Sequence, residues 1–354
     1  MGKKAVKQYF HIIILIASII IFIFTMLGLF GGDVNPAGHN LRAMSTLALP
    51  FLLVCNILVL IYWAISRSWF ACIPVIALLF CYNYIGTIFQ FGGKPDDASY
   101  NFMIASYNVR GFNKDGSGVV ATDVINSLKK EGSDIICLQE FDNTMSGDQR
   151  TVCDKISDTY PYHALGPSMA ILSRFPIKSN KQIAFEMSNN GGMWADIQVD
   201  KTHLIRVFNV HMETTGINST LHQASKVATA NGDNDISMRV ANNVLDNYKL
   251  NSVVRAGQAI SIANEKRDSK NPIILCGDFN DVPYSFTYNT LLGDLLDGFR
   301  ESGHGFGSTY RGAKGLFRID YIFHADNMKS VDYYTVDQDY SDHNPVYTKI
   351  SFDK

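Results

Sequence analysis

The chain divides into two parts by its hydrophobic pattern. Residues 8–32, 43–66 and 68–93 contain no Asp, Glu, Lys or Arg, and each run exceeds the roughly 20 residues a helix needs to cross a bilayer. The pattern predicts three transmembrane helices, at about residues 10–30, 43–65 and 69–89. Lys3, Lys4 and Lys7 ahead of the first run would also suit a cleaved signal peptide. That run is too long for one, lacks a small-x-small site near its end, and is followed by two more. Lys3, Lys4, Lys7 and Arg67 fall on one side of the three-span path and Arg42 and Lys94 on the other. The excess puts the N-terminus in the cytoplasm and everything after the third span outside it.

The segment FGGKPDDAS at residues 91–99 is rich in Gly, Pro and Asp and reads as a joint. It separates a membrane anchor (1–92) and a linker (93–99) from one domain (100–354), a length that a single large core can serve. In that domain short apolar runs end in polar turns. Strands are expected at 102–109, 134–138, 169–173, 194–199, 203–210, 320–323 and 346–350, with helices at 122–130, 236–248 and 253–266. The most pronounced run is IILCGDFNDVP at 273–283: four apolar residues lead into Gly277 and a polar turn, the profile of a buried strand that ends abruptly. On extended backbone Asp278 and Asn280 project from the same face and could converge on one phosphate or one water. As ordinary turn formers they would need no function.

An apolar content of 47% hides this division by averaging over it. Beyond residue 97 the chain carries 25 Lys and Arg against 30 Asp and Glu, so it lacks the broad basic field of a nucleic-acid-gripping protein. Of six cysteines, Cys55, Cys72 and Cys81 fall in the predicted spans, while Cys137 and Cys276 sit in apolar strand patterns as buried thiols. Their spacing matches neither a disulfide framework nor a zinc cluster. Asn108, Glu140, His211, Asp278, Asn280, Asp342 and His343 all fall at strand ends or in the loops beside them, where open sheets gather functional groups.

The motifs SYNVRGF (106–112), DIICLQE (134–140), ILSRFPI (171–177), FNVHME (208–213), CGDFNDVP (276–283), RIDYIF (318–323) and SDHNPV (341–346) occur together in this order. The set resembles the endonuclease/exonuclease/phosphatase superfamily across the whole domain after the linker, and does not extend to the apolar N-terminal part. The resemblance implies a four-layer α/β/β/α sandwich and a divalent-metal phosphoesterase site at one end of it. It implies that Glu140 and Asn108 hold the metal, with Asp342 contributing. Asp278 would position or deprotonate the attacking water, and Asn280 would bind a phosphate oxygen. Asp320 would orient His343, and His211 would face the phosphate from the other side.

Elementary chemistry agrees with those roles. Attack on an anionic phosphodiester needs charge neutralisation, an in-line nucleophile and help for the departing oxygen. The oxygen-only set Glu140, Asn108 and Asp342 suits magnesium or manganese rather than zinc. An imidazole held by a carboxylate, as His343 by Asp320, is fixed in one tautomer and biased toward its charged form. No Ser or Cys lies in a nucleophile motif, so direct metal-assisted hydrolysis is the simplest mechanism. Arg318 beside Asp320 would also serve as a structural pair. Tyr284, Arg174 and Asn209 are candidates for supporting the site, and Tyr107, Phe208 and Tyr321 for the core.

The expected partners are a phosphoester substrate and the lipid bilayer, with no stable nucleic-acid complex; the sequence says nothing of oligomeric state. The polar stretch 214–251 is the natural substrate-shaping loop. An alternative reading is a catalytically silent, membrane-tethered binding or scaffold module on the same fold, whose mark would be a missing catalytic group. A transport subunit is disfavoured because the predicted spans carry no charge.

Overall fold

The computed structural model describes residues 3–92, 99–113, 121–143, 151–186, 188, 190–216 and 236–352. The apolar N-terminal part forms α1 (Lys3–Leu29), α2 (Asn40–Leu47), α3 (Leu49–Ile65), α4 (Cys72–Phe80) and α5 (Tyr82–Ile88). By length and composition, α1 is long and apolar enough to cross a membrane. The second and third runs, expected as straight spans, each fold as two helices, bent by 66° between α2 and α3 and by 52° between residues 69–80 and α5. Pro50, at the start of α3, accounts for the first break: it has no N–H to continue the ladder from α2. The second bend delivers Thr87 and the strand β1 (Phe89–Gln90) to the rest of the protein. Arg318 Nη1 donates to Thr87 O at 2.9 Å, and β1 pairs with residues 305–306.

Polar groups join the N-terminal helices to one another, and apolar groups face out. Asn56 Nδ2 donates to Thr25 Oγ1 and Trp63 Nε1 to Ser18 Oγ, each at 2.9 Å between α3 and α1. Ile16, Ile20, Leu58 and Leu79 are exposed. This inverts the usual soluble arrangement and matches helices whose surroundings are apolar.

The remaining strands are β2 (Phe102–Asn108), β3 (Ile135–Gln139), β4 (Tyr162–Gly166), β5 (Met169–Ser173), β6 (Ile177–Ala184), β7 (Gly191–Gln198) and β8 (Leu204–His211). They are followed by β9 (Ile273–Asp278), β10 (Leu296–Asp297), β11 (Gly305–Phe306), β12 (Asp320–His324), β13 (Met328–Thr335) and β14 (Val346–Phe352). Two six-stranded sheets result, ordered β10-β12-β9-β8-β7-β6 and β13-β14-β2-β3-β5-β4. Their facing sides bury Ile104, Ile135, Cys137, Val207, Ile274, Cys276 and Ile322 in one core. The helix Ala121–Lys130 covers the outside of one sheet, and the helices Ile236–Arg267 and Phe286–Leu292 cover the other. This is the expected four-layer α/β/β/α sandwich. Tyr107, Phe208 and Tyr321 are core residues, and all six cysteines are free thiols.

Several elements differ from the sequence expectation, the strands β1, β4, β6, β10, β11 and β13 having no counterpart in it. The helices expected at 236–248 and 253–266 form one continuous helix, Ile236–Arg267, since the polar stretch between them contains neither Gly nor Pro. The strand β6 escaped notice because most of its side chains are exposed and polar, as an edge strand's are. Of the expected linker, residues 93–98 lie outside the described residues, as do residues 217–235 of the expected substrate loop.

Candidate active site

Strand register brings the candidate residues to one end of the sandwich. Parallel pairing sets Asn108 beside Gln139 and His211 beside Asp278, while antiparallel pairing sets Asp320 beside Asp278. A buried amide network locks the two sheets in this alignment. Asn209 on β8 donates to the carbonyls of Leu138 and Ala170 in the opposite sheet, at 2.9 and 3.0 Å, and accepts from Gln139 Nε2 at 2.7 Å. Asn209 therefore supports the site from beneath. Gly277 is obligatory at the end of β9: its φ is +140°, and a Cβ there would lie 1.9 Å from Val210 O.

Asp278 is the hub. Its carboxylate accepts from Asn108 Nδ2 at 3.0 Å, Asn280 backbone N at 2.9 Å and Asn280 Nδ2 at 3.3 Å. The Nε2 atoms of His211 and His343 each stand 3.7 Å from Asp278 Oδ2, too long for direct hydrogen bonds. Burial pushes the Asp278 carboxyl up, and the two histidines partly oppose this, which moves it toward the range useful to a general base. His343 Nδ1 meets Asp320 Oδ2 at 2.9 Å. Burial works against the His343 charge, yet the Asp320 and Asp278 carboxylates outweigh it and raise the group to about 10. It is an imidazolium at neutral pH.

Asn280 reaches Asp278, although not on extended backbone: its φ is +50°. Its Nδ2 also donates to Met212 O at 3.0 Å, so both amide hydrogens hold the protein together and position Asp278. Arg318 pairs with Asp297 rather than with its neighbour Asp320. Arg174 pairs with Asp134, and Tyr284 packs edge-on against Tyr84 of α5.

These groups open into a cavity of about 300 Å³ lined by Asn108, Glu140, His211, Asp278, Asp342 and His343, among others. Arg110 and Tyr310 are among the lining residues to which the sequence assigned no role. Arg110 lies 3.9 Å from Asp342 Oδ2, and the Tyr310 ring packs at 5.1 Å on His343. Arg110 stood within the quoted motif SYNVRGF, whereas Tyr310 carried no signal. Strain marks the same place: Arg110, Glu140 and Asn280, all lining the cavity, are non-glycine residues with positive φ.

Two groups of donors bear on a metal. Asp278, Asp320 and His343 present ligand atoms within 4.8 Å of one another, all buried. A cation there would have to displace the imidazolium that already neutralises both carboxylates. Glu140 and Asp342 instead present carboxylates that are 43% and 36% exposed to the cavity. Asn108 bridges the two groups, donating to Glu140 Oε1 at 3.1 Å. The Glu140 and Asp342 carboxylates are oxygen donors that fit magnesium or manganese, whereas the Asn108 oxygen accepts from Arg110 N at 3.0 Å. Four carboxylates, of Glu140, Asp278, Asp281 and Asp342, share the cavity wall with Arg110 and His343, so a cation bound there would ease the entry of an anionic phosphate.

The model of the endonuclease/exonuclease/phosphatase family matches residues 105–343. The chain belongs to that family. A second model, of a domain of unknown function, matches residues 11–88. No curated protein matches. Among solved structures, the endonuclease/exonuclease/phosphatase from Bacteroides vulgatus is 14% identical with a TM-score of 0.52, covering 71% of this chain and 99% of its own. The Beutenbergia cavernae protein is 17% identical with a TM-score of 0.51, covering 71% of each chain. The human Nocturnin catalytic domain, solved with a bound sulfate anion, is 15% identical with a TM-score of 0.50, covering 71% of this chain and 93% of its own. At these identities the likeness shows the fold.

Proposed function

We propose that this family member is a membrane-anchored, divalent-metal-dependent phosphoesterase. The observation that carries the reading is the convergence of Asn108, Glu140, His211, Asp278 and His343 on one cavity at the end of the sandwich. Glu140, Asn108 and Asp342 would hold magnesium or manganese, which when bound supplies positive charge to the phosphoryl oxygens. Asp278 takes a proton from water as the water oxygen bonds to phosphorus, and the phosphorus–oxygen bond to the substituent breaks, its oxygen leaving with the bonding pair and taking a proton from solvent water. His343, kept charged and oriented by Asp320, faces the phosphoryl oxygens from one side of Asp278, and His211 faces them from the other. Asn280 holds Asp278 in place, and a phosphate oxygen that displaced its bond to Met212 O would gain its amide.

The test uses the full chain in detergent micelles with bis-nitrophenyl phosphate as substrate. Chelation is expected to lower the rate at least ~100-fold, and magnesium or manganese to restore it. Full activity in chelator would reject the metal.

In the same reading residues 1–92 are the anchor, 93–99 the linker and 100–354 the catalytic domain, with α1, α2–α3 and α4–α5 as three spans. Two observations support this: the exposed apolar side chains, and a chain path that brings the ends of α1 and α5 and the helix α2 to the catalytic domain. Arg42 lies at that end of the bundle, and Arg67 with Lys3, Lys4 and Lys7 of the chain start at the other; with Lys94 after the third span, the excess of four positive charges over two favours a catalytic domain outside the cytoplasm. A reporter fused after Lys354 is expected to be active only there; a cytoplasmic signal would overturn the orientation. The bilayer and a phosphoester are the partners, and the acidic domain holds no stable nucleic-acid complex.

A further inference from the structure

The catalytic groups stand between two cavities with different linings. Arg110, Glu140, His211 and Thr214 line both. On one side, the cavity of about 300 Å³ has an apolar wall of Leu47, Val282, Phe317 and Ile319. On the other, a cavity of about 840 Å³ is walled mostly by polar and small residues, Asn143, Gly166, Ser168 and Asn190 among them, with Phe141 and Leu165 completing it.

Leu47 belongs to the N-terminal helical part. It is the last residue of α2, and α3 begins at Leu49, so the apolar wall lies where the chain enters its second apolar run. This placement is fixed by packing. Thr46 Oγ1 donates to Gly28 O at 2.9 Å, and Tyr248 OH to Ala43 O at 3.3 Å. Gly32 approaches the catalytic domain so closely that a Cβ would fall 2.0 Å from Tyr284 O. The helical part is therefore one wall of the active site as well as an anchor.

A phosphate at the Asp278–His343 pair has room for a substituent on each side, one against apolar side chains at the mouth of a span and one among polar groups. We infer that the substrate is an amphiphilic phosphodiester, its apolar substituent lying against Leu47 and its polar substituent in the second cavity. Leu47 is then a specificity-determining residue contributed by the membrane anchor. The inference rests on the phosphoesterase reading. A phosphomonoester would leave one cavity empty, and a wholly polar diester would face the apolar wall unpaired.

The test compares nitrophenyl hexadecyl phosphate with nitrophenyl methyl phosphate, which share a leaving group and differ in apolar length. Both are assayed on the same sample of full-length protein in detergent micelles with magnesium. The kcat/KM ratio of hexadecyl to methyl ester is independent of how much protein is folded. It is expected to be ~10-fold or more in the wild type, to drop ~10-fold in Leu47→Asp, and to return in Leu47→Met. A wild-type ratio near one, or an unchanged ratio in Leu47→Asp, would overturn the inference while leaving the phosphoesterase reading intact. No turnover of either ester would overturn the phosphoesterase reading itself, and the inference with it.

Discussion

Asp278→Asn is expected to lower kcat for phosphodiester hydrolysis by ~10²–10⁴-fold, the range for losing a positioned general base. The substitution keeps shape and volume but removes the proton acceptor at the centre of the site. That acceptor is flanked by two imidazole nitrogens at 3.7 Å and held by Asn108 and Asn280. Stability should move the other way. Burial raises the folded Asp278 carboxyl above its unfolded value, so ionising it at neutral pH costs stability, and a neutral amide relieves that cost. The unfolding midpoint of the full chain in detergent is therefore expected to stay level or rise while kcat collapses. A variant retaining kcat within about threefold of wild type would remove Asp278 from the proton-transfer role, since that loss lies far below the range such a role implies.

Asp297→Ala is expected to be the most destabilising single change in the catalytic domain. The Asp297 carboxylate accepts from Arg318 Nη1 at 2.9 Å, from Tyr288 OH at 2.7 Å and from the backbone N of Phe299 at 3.1 Å. Arg318 is fully buried, its guanidinium 4.6 Å from the ring centres of both Phe299 and Tyr321. Burial works against the Arg318 charge, and Asp297 outweighs it to keep the group firmly protonated. Alanine would strand that cation, free the end of the helix Gly298–Ser302 and loosen the bond from Arg318 to Thr87 O in α5. Breaking a buried pair by removing one partner costs ~3–5 kcal/mol. At ~2–4 °C per kcal/mol for a domain of this size, the midpoint should fall by ~10 °C in matched scans. A shift under ~2 °C would mean that water reaches Arg318, and that the pair is not the closed unit its burial implies.

The sequence by itself determined a good deal of this protein. Uninterrupted apolar runs marked the N-terminal part. Runs such as residues 273–278, buried at every position, could only be central strands, and the ordered motifs carried the family and the sandwich with them. The local signals hold because a strand buried on both faces, or an apolar run of about 20 residues, has few places to go.

Tertiary structure decided the rest. Three straight spans were expected; one straight helix and two bent pairs are found, because Pro50 interrupts one run and docking of Thr87 and β1 onto the catalytic domain redirects the other. Arg318 was read beside Asp320 in sequence, but it lies before β12 begins at Asp320, whose carboxylate is taken by His343, and it reaches Asp297 on the neighbouring strand β10 instead. Asn209 was a candidate for supporting the site by sequence, and only the second sheet, with two carbonyls opposite it, shows how it does so. Leu47 and Tyr310 gave no signal at all, since a cavity wall is made where segments distant in sequence meet, and sequence periodicity registers only neighbours along the chain.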